Sequence, residues 1–431
     1  MVKKKKRNNI NNKKNVNLYR RRTNKTKKDH KKSAQSLNDK MPDINNLKEN
    51  NNNKIQRDLN INILIPEEKI LFEDSNISDK SIPTFTTFIS FDGIPCIIYG
   101  DKKKSIIIYN LISFQKITEI KHAHGKAISK LIHYPDISNK RDLLLSISSE
   151  NKNVKLWNIS TLECIVNIQK DKKDKSITPL FSACLINDNN EIYVVTAGGR
   201  RFSSDPVYIY DCEGKNLGEV KAPGIKINCE SYYDNKLNKN YIILSTLYVK
   251  NIGINRTCFV GFGIIRSYEF NKKEFYKEYK VYDNNKQGGS NDLIIVKDNN
   301  EKINLISINN NNIDIWDFHS GNLLRTIEIL STSNDINNSI NCFCLWNNKY
   351  LFVGYKREFT DSQEEVNEIK IIDLDINKSI KNIRCNNNIK IMEKIIHPQY
   401  GECVIFQESK SYYKNQGLKY DIKIILKTNI L

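Results

Sequence analysis

From Ile61 onward the chain alternates short apolar runs with polar clusters. The runs 95–99 (PCIIY), 105–109 (SIIIY), 143–147 (LLLSI), 192–196 (IYVVT), 241–245 (YIILS), 303–308 (INLISI) and 350–353 (YLFV) are dominated by β-branched and aromatic residues. Each is too short for a typical helix, and the spacing between them is that of an all-β protein. Only 17 glycines are present. The turns between strands must therefore fall to Asn and Asp, which tolerate left-handed backbone better than other residues do. Upstream, residues 33–60 are polar and Asn-rich, with an NNNN run at 50–53, and residues 1–32 are dominated by Lys, Arg and Asn. Neither stretch has an apolar period, and both are expected to be disordered.

The strand signals repeat. Tyr109-Asn110, Trp157-Asn158 and Trp316-Asp317 are each followed by a hydroxyl residue four positions after the aromatic (Ser113, Thr161, Ser320). An aliphatic residue stands eight after it (Ile117, Ile165, Leu324) and an isoleucine eleven after it (Ile120, Ile168, Ile327). Tyr268, with Tyr276 and Tyr279, and Ile372, with Ile380 and Ile383, keep the last two positions; Tyr210-Asp211 and Ile425 are looser members. Seven landmarks at such intervals, each with room for four short strands, predict a seven-bladed β-propeller of four-stranded blades over 61–431.

The segment 122–158 resembles a WD-repeat unit. His124 stands at the family's Gly-His position with Ala123 in place of Gly, Ile128, Leu131 and Pro135 follow at the expected offsets, Asn151 takes the turn-Asp position, and Trp157-Asn158 stands for the closing Trp-Asp. A true Trp316-Asp317 closes the unit at 303–317. The resemblance implies a structural hydrogen-bond network inside a blade, here drawn from His124, Ser148, Asn151 and Trp157, with Trp316 and Asp317 in a second unit. A buried indole N–H and a buried imidazole each need a partner. Trp346 imitates the motif, yet a turn and the run Tyr350–Val353 follow it directly, and it is expected in a hairpin.

The resemblance also implies that the loops joining the second and third strands of each unit reach the narrower face of a disk. Four such loops look enlarged: 198–206, 249–257, 356–367 and 408–419. Arg200, Arg201, Lys356, Arg357, Tyr412 and Tyr413 are the candidate partner-binding residues on them, because Arg and Tyr are favoured at interfaces. Arg200-Arg201 is followed by Phe202, not by the Gly of phosphoinositide-binding propellers, and neither Trp-Asp-like pair is followed by the Arg common in ubiquitin-ligase receptors.

Charge changes the picture only at one end. Residues 1–32 carry +14 of the formal +19, leaving +5 over the remainder. Lys3, Lys4, Lys5, Lys6 and Arg7 resemble a nuclear localisation signal. Attraction to RNA or another polyanion belongs to this tail, and the body is nearly neutral. The ten cysteines lie from Cys96 to Cys403, mostly in apolar runs and without a CxxC, and are expected to be reduced core thiols of a nuclear or cytoplasmic protein. No long apolar run or apolar leader stands out, so neither a membrane span nor a secretory signal is expected. Phosphate-loop, HExxH, GxSxG and kinase signatures are absent, and no catalytic residue, metal or cofactor is expected. The favoured expectation is a non-enzymatic protein- or peptide-binding scaffold. The alternatives are a nucleic-acid-associated factor acting in RNA processing or ribosome assembly through its tail, and a substrate-receptor subunit of an enzyme complex. A last expectation is that residues 61–72 supply the outer strand of the final blade, because little sequence follows the last landmark.

Overall fold

A computed structural model describes residues 84–426 apart from 101–103, 114, 151, 170–179, 200–205, 252–258, 281–291, 299–300, 310–311, 330–335, 360–364, 399–400 and 411–418. Residues 1–60 with the disorder expected of them, the strand expected at 61–72, and Lys3, Lys4, Lys5, Lys6, Arg7, Asn151, Arg200, Arg201, Tyr412 and Tyr413 therefore lie outside the described residues.

The described chain is all strand and turn. Sheet one holds β1 (Thr84–Ile89), β2 (Pro95–Gly100), β3 (Ile106–Asn110) and β4 (Lys116–Ile120). Sheet two holds β5 (Lys130–Asp136), β6 (Arg141–Ser148), β7 (Asn153–Asn158) and β8 (Glu163–Gln169). Sheet three holds β9 (Leu180–Asp188), β10 (Glu191–Gly198), β11 (Val207–Tyr210) and β12 (Asn216–Val220). Sheet four holds β13 (Ile225–Asp234), β14 (Lys239–Asn251), β15 (Phe259–Glu269) and β16 (Glu274–Lys280). Sheet five holds β17 (Leu293–Lys297), β18 (Ile303–Asn309), β19 (Asn312–Asp317) and β20 (Leu323–Glu328). Sheet six holds β21 (Ile336–Trp346), β22 (Tyr350–Phe359), β23 (Glu365–Asp373) and β24 (Lys378–Cys385). The last sheet holds β25 (Asn388–His397), β26 (Gly401–Lys410) and β27 (Lys419–Leu426).

Every sheet is an antiparallel meander in chain order. Among the described residues six sheets have four strands and the last has three, so six complete four-stranded blades stand where seven were expected. Among the described residues nothing pairs with the free side of β27.

Each landmark falls on the third strand of its sheet. In all six four-stranded sheets the pairing of third and fourth strands slips register at that residue: Tyr109, Trp157, Tyr210, Tyr268, Trp316 and Ile372. Such a bulge raises local twist. The residue after the landmark closes the following turn. Asn110 Oδ1 accepts the Ile112 and Ser113 amides, Asn158 that of Ser160, Asp211 those of Glu213 and Lys215, Asp317 that of Ser320, and Asp373 that of Asp375. The repeat in the sequence is thus a turn-and-bulge device.

Asparagine does much of the left-handed turning, as the shortage of glycine implies. Asn189-Asn190 and Asn347-Asn348 both have positive φ at two successive residues, the signature of two-residue hairpin turns whose twist matches the strands. Trp346 ends β21 immediately before the second of these turns, a hairpin residue as expected.

The core lies between neighbouring sheets. The isoleucines eleven after the landmark, Ile120, Ile168, Ile327 and Ile383, are buried in it, whereas Ile117, Leu324 and Ile380 at the eighth position are exposed. Eight and eleven differ by an odd number, and successive strand side chains point to opposite faces. Phe85, Ile97 and Tyr99 of sheet one pack with Ile395, Cys403 and Ile405 of the last sheet, and Thr87 Oγ1 donates to the Lys394 carbonyl at 2.8 Å. The first and last sheets are thus in contact. Every described cysteine is a free thiol, and Cys342 and Cys344 pack together in the cluster between sheet six and the last sheet.

Candidate functional site

Two polar constellations are built on this frame, one inside the blades and one along the axis. In sheet two, the Trp157 indole N–H donates to Ser146 Oγ at 2.8 Å, and His124 Nε2 lies 2.7 Å from the same oxygen. All three side chains are buried. Burial, with the nearby Lys155 ammonium, pulls the His124 imidazole down to about 4, so the ring is neutral at pH 7. The hydroxyl in the network is Ser146, which corrects the expectation of Ser148. Trp157 sits opposite Leu144, so Ser146 is its diagonal neighbour, while Ser148 is one strand repeat farther away. Ser148 Oγ is buried and has no hydrogen-bond partner among the described residues.

Sheet five repeats the device in the same register: Trp316 Nε1 donates to Ser307 Oγ at 3.1 Å. Asp317, expected in the network, instead closes the turn to β20, where the Ser320 amide donates to it at 2.7 Å and holds its carboxyl below the usual range. These residues are consumed by the architecture, with Ser146 Oγ committed to Trp157 and His124 inside the blade.

Lys356 and Arg357 are placed on β22, not on a loop, because the β22–β23 hairpin continues past them and pairs Lys356 with Asn367 and Arg357 with Val366. Lys356 Nζ lies 2.9 Å from Glu365 Oε2, and the Arg357 guanidinium stacks on Tyr355 at 5.2 Å.

The axial constellation went unread in the sequence. First strands of most neighbouring sheets pack on one another, and polar residues from five of the sheets meet at the axis. Lys130 Nζ of β5 donates to Asn228 Oδ1 at 2.8 Å and to Ser182 Oγ at 3.1 Å, and it lies 3.1 Å from Glu230 Oε1. Burial opposes the Lys130 charge, but Glu230 wins and raises the ammonium above its usual range. Asp292, just before β17, is raised to about 7 by burial and then by Glu230. Glu393 on β25 is raised to about 8 by burial, then by Asp292 and Glu230. These side chains stay partly exposed, Lys130 at 26% and Glu230 at 33% of the side chain, so solvent screens them. The set is balanced when Glu230 faces Lys130 and the other two carboxyls keep their protons, and it turns negative as they ionise. Among the described residues no group of three His, Cys, Asp or Glu side chains could hold a metal ion.

A succession of antiparallel meander sheets, each buried against the next, with first and last in contact, is a β-propeller. No protein-family profile matches the chain, and no curated protein matches it. Among solved structures it is similar to the crystal structure of Raptor from Chaetomium thermophilum, with a TM-score of 0.55 and 13% sequence identity over 83% of this chain. The match spans 29% of the Raptor chain, and the likeness is one of fold. Among the described residues no helix is long and apolar enough to cross a membrane.

Proposed function

We propose that the chain is a WD-repeat-type propeller that works as a non-enzymatic protein-interaction scaffold in the nucleus or cytoplasm. The observation that carries this reading is the fate of the motif residues. His124, Ser146, Trp157, Ser307 and Trp316 spend their polar atoms on holding strands together. What is left for recognition is the two rings of turns at the ends of the strands, a rigid display suited to protein surfaces. The propeller fold and its likeness to part of Raptor are consistent with that use. Chemical cross-linking and affinity purification of full-length and 1–60-deleted protein, each with and without nuclease, test it. Stoichiometric protein partners that survive both nuclease and tail deletion are expected. Partners that vanish with either treatment would move the reading to a nucleic-acid-associated factor.

That second reading has its own observation, the +14 carried by residues 1–32. Binding through several phosphate contacts falls steeply with salt. RNA affinity of full-length protein that is flat with salt would remove it.

A further inference from the structure

The turns between first and second strands all lie at one end of the sheets, and they differ in height. Sheet three turns in two residues, Asn189-Asn190, while sheets two and four on either side spend residues 137–140 and 235–238. The short turn is therefore recessed between two taller ones. Above it opens a cavity of about 530 Å³, with Asn187–Asn190 as floor, Tyr134 on the wall from sheet two, and Tyr233 and Asn240 on the wall from sheet four. Ser138 Oγ of the sheet-two turn donates to Asn190 Oδ1 at 2.8 Å, so floor and wall are fastened together.

Three features define what would fit. The first is charge. Asp188 in the floor accepts hydrogen bonds from the Asn240 amide at 2.9 Å and the Asn189 amide at 3.3 Å, and among the described residues no cation pairs with it. The second is apolar surface on the two flanking turns, just outside the lining of the cavity. Ile137 on one turn is 74% exposed and Leu237 on the other 50%. The third is a fixed aromatic face: Tyr233 is half exposed, and its hydroxyl donates to Asn238 Oδ1 at 2.7 Å. Burying an aliphatic side chain is worth about 1.5–3 kcal/mol, which rewards a ligand with apolar groups on both sides of a cation. The asparagine floor offers amide donors and acceptors of the kind a peptide backbone uses.

We infer that this notch binds a short extended peptide carrying a Lys or Arg that reaches Asp188, flanked by aliphatic residues that cover Ile137 and Leu237. The inference rests on the scaffold reading and specifies one surface of it. A nucleic acid is disfavoured by the Asp188 carboxylate, and an oligosaccharide leaves the aliphatic side chains of the flanking turns uncovered.

The test pans a random-sequence peptide library on the full-length protein and measures selected synthetic peptides by fluorescence polarisation. The expected consensus is a basic residue between aliphatic ones. Asp188→Asn should weaken binding about tenfold, the order of one charge-assisted contact, and Ile137→Ser several-fold, with melting temperatures near the wild type because Ile137 is exposed and the substituted amide oxygen still accepts from Asn240. A peptide with its basic residue replaced by Gln should lose affinity for the wild-type protein but bind D188N no worse than its parent does. Peptides that lack a basic residue, or that bind D188N and I137S as tightly as wild type, overturn the site while leaving the scaffold reading to the cross-linking experiment. An oligosaccharide-array signal abolished by D188N, or no enrichment of any peptide, also overturns it.

Discussion

Sheets two and six solve one packing problem in opposite ways. In sheet two, Ser146 on the second strand and Trp157 on the third share a hydrogen bond, and His124 joins them. In sheet six, the same two register positions hold Val353, which pairs with Lys370 as Ser146 pairs with Lys155, and Ile372. Both are fully buried, in the cluster between sheets five and six. The two solutions are comparable because a hydrogen bond adds only about 1 kcal/mol net, while an orphaned buried polar group costs about 1–3 kcal/mol. A polar pair can therefore drift to an apolar pair only if both partners change. That explains how blades without the Trp and the Ser keep the same fold.

The largest effect should come from breaking the polar pair on one side alone. Ser146→Val leaves the Trp157 indole and the His124 ring both without an acceptor or donor, and should cost about 2–4 kcal/mol in urea unfolding. Adding Trp157→Phe to that variant removes one orphan and should recover part of the loss. The mirror experiment, Val353→Ser, buries a lone hydroxyl among Leu351, Tyr355 and Ile372 and should cost about 1–3 kcal/mol. Should Ser146→Val prove no more harmful than a surface substitution, the comparison between the sheets is wrong.

How much of this was legible in the sequence depends on whether the signal is local. The landmarks and their turn-closing Asn or Asp were readable because aromatic, cap and turn lie within a few residues. Ser146 against Ser148 was not, since both lie on the same face of β6 and only the register with β7 decides which reaches Trp157. The strand expected to complete the last sheet, at 61–72, lies outside the described residues, and spacing between landmarks counts units rather than the strands that complete each one. Lys356 and Arg357 were read as loop because their polarity resembles a turn, whereas the hairpin extends past them and carries them as half-buried strand residues. The axial set was invisible for a different reason. Lys130, Ser182, Asn228, Glu230, Asp292 and Glu393 are single polar residues spread across five units, and only the ring brings them together.

Acid and base should act oppositely on the two constellations. His124 is neutral in the fold down to about 4, while an unfolded His titrates near 6.5. The unfolded chain therefore takes up the proton first, and this contribution to stability is present above about pH 6.5 and is lost as the pH falls toward 4. Melting temperature against pH should show that slope in the wild type and lose it in His124→Gln.

The axial carboxyls run the other way. Asp292 and Glu393 keep their protons in the fold up to about 7 and about 8, whereas unfolded carboxyls release them near 4. Their contribution is present at low pH and is lost as the pH rises through that range, moderated by water along the axis. Glu393 faces Asp292, Glu230 and Lys130 across the ring, and removing its charge should flatten the decline. Glu393→Gln and Asp292→Asn should thus each gain melting temperature on the wild type between about pH 6 and 8.5. Parallel profiles for wild type and both variants would detach the set from stability.

The smallest effect concerns a device that sheets two and six share in different chemistry. The turn after the third strand is closed by Asn158 in one and by Asp373 in the other, and by Asp317 in sheet five. In each the side-chain oxygen accepts a backbone amide within the turn, a task that needs an oxygen and no charge. Asp317→Asn should therefore be nearly silent, within about 0.5 kcal/mol, whereas Asp317→Ala should cost about 1 kcal/mol by stranding the Ser320 amide. The carboxylate has one consequence the amide lacks. Its depressed pKa makes its contribution fade as the pH falls below the ordinary carboxylate range, so the wild type should lose its advantage over the Ala variant in acid while the Asn variant keeps it. Equal acid sensitivity of the Asp and Asn forms, measured by urea unfolding at pH 7 and near pH 3, would show that the charge plays no part in closing the turn.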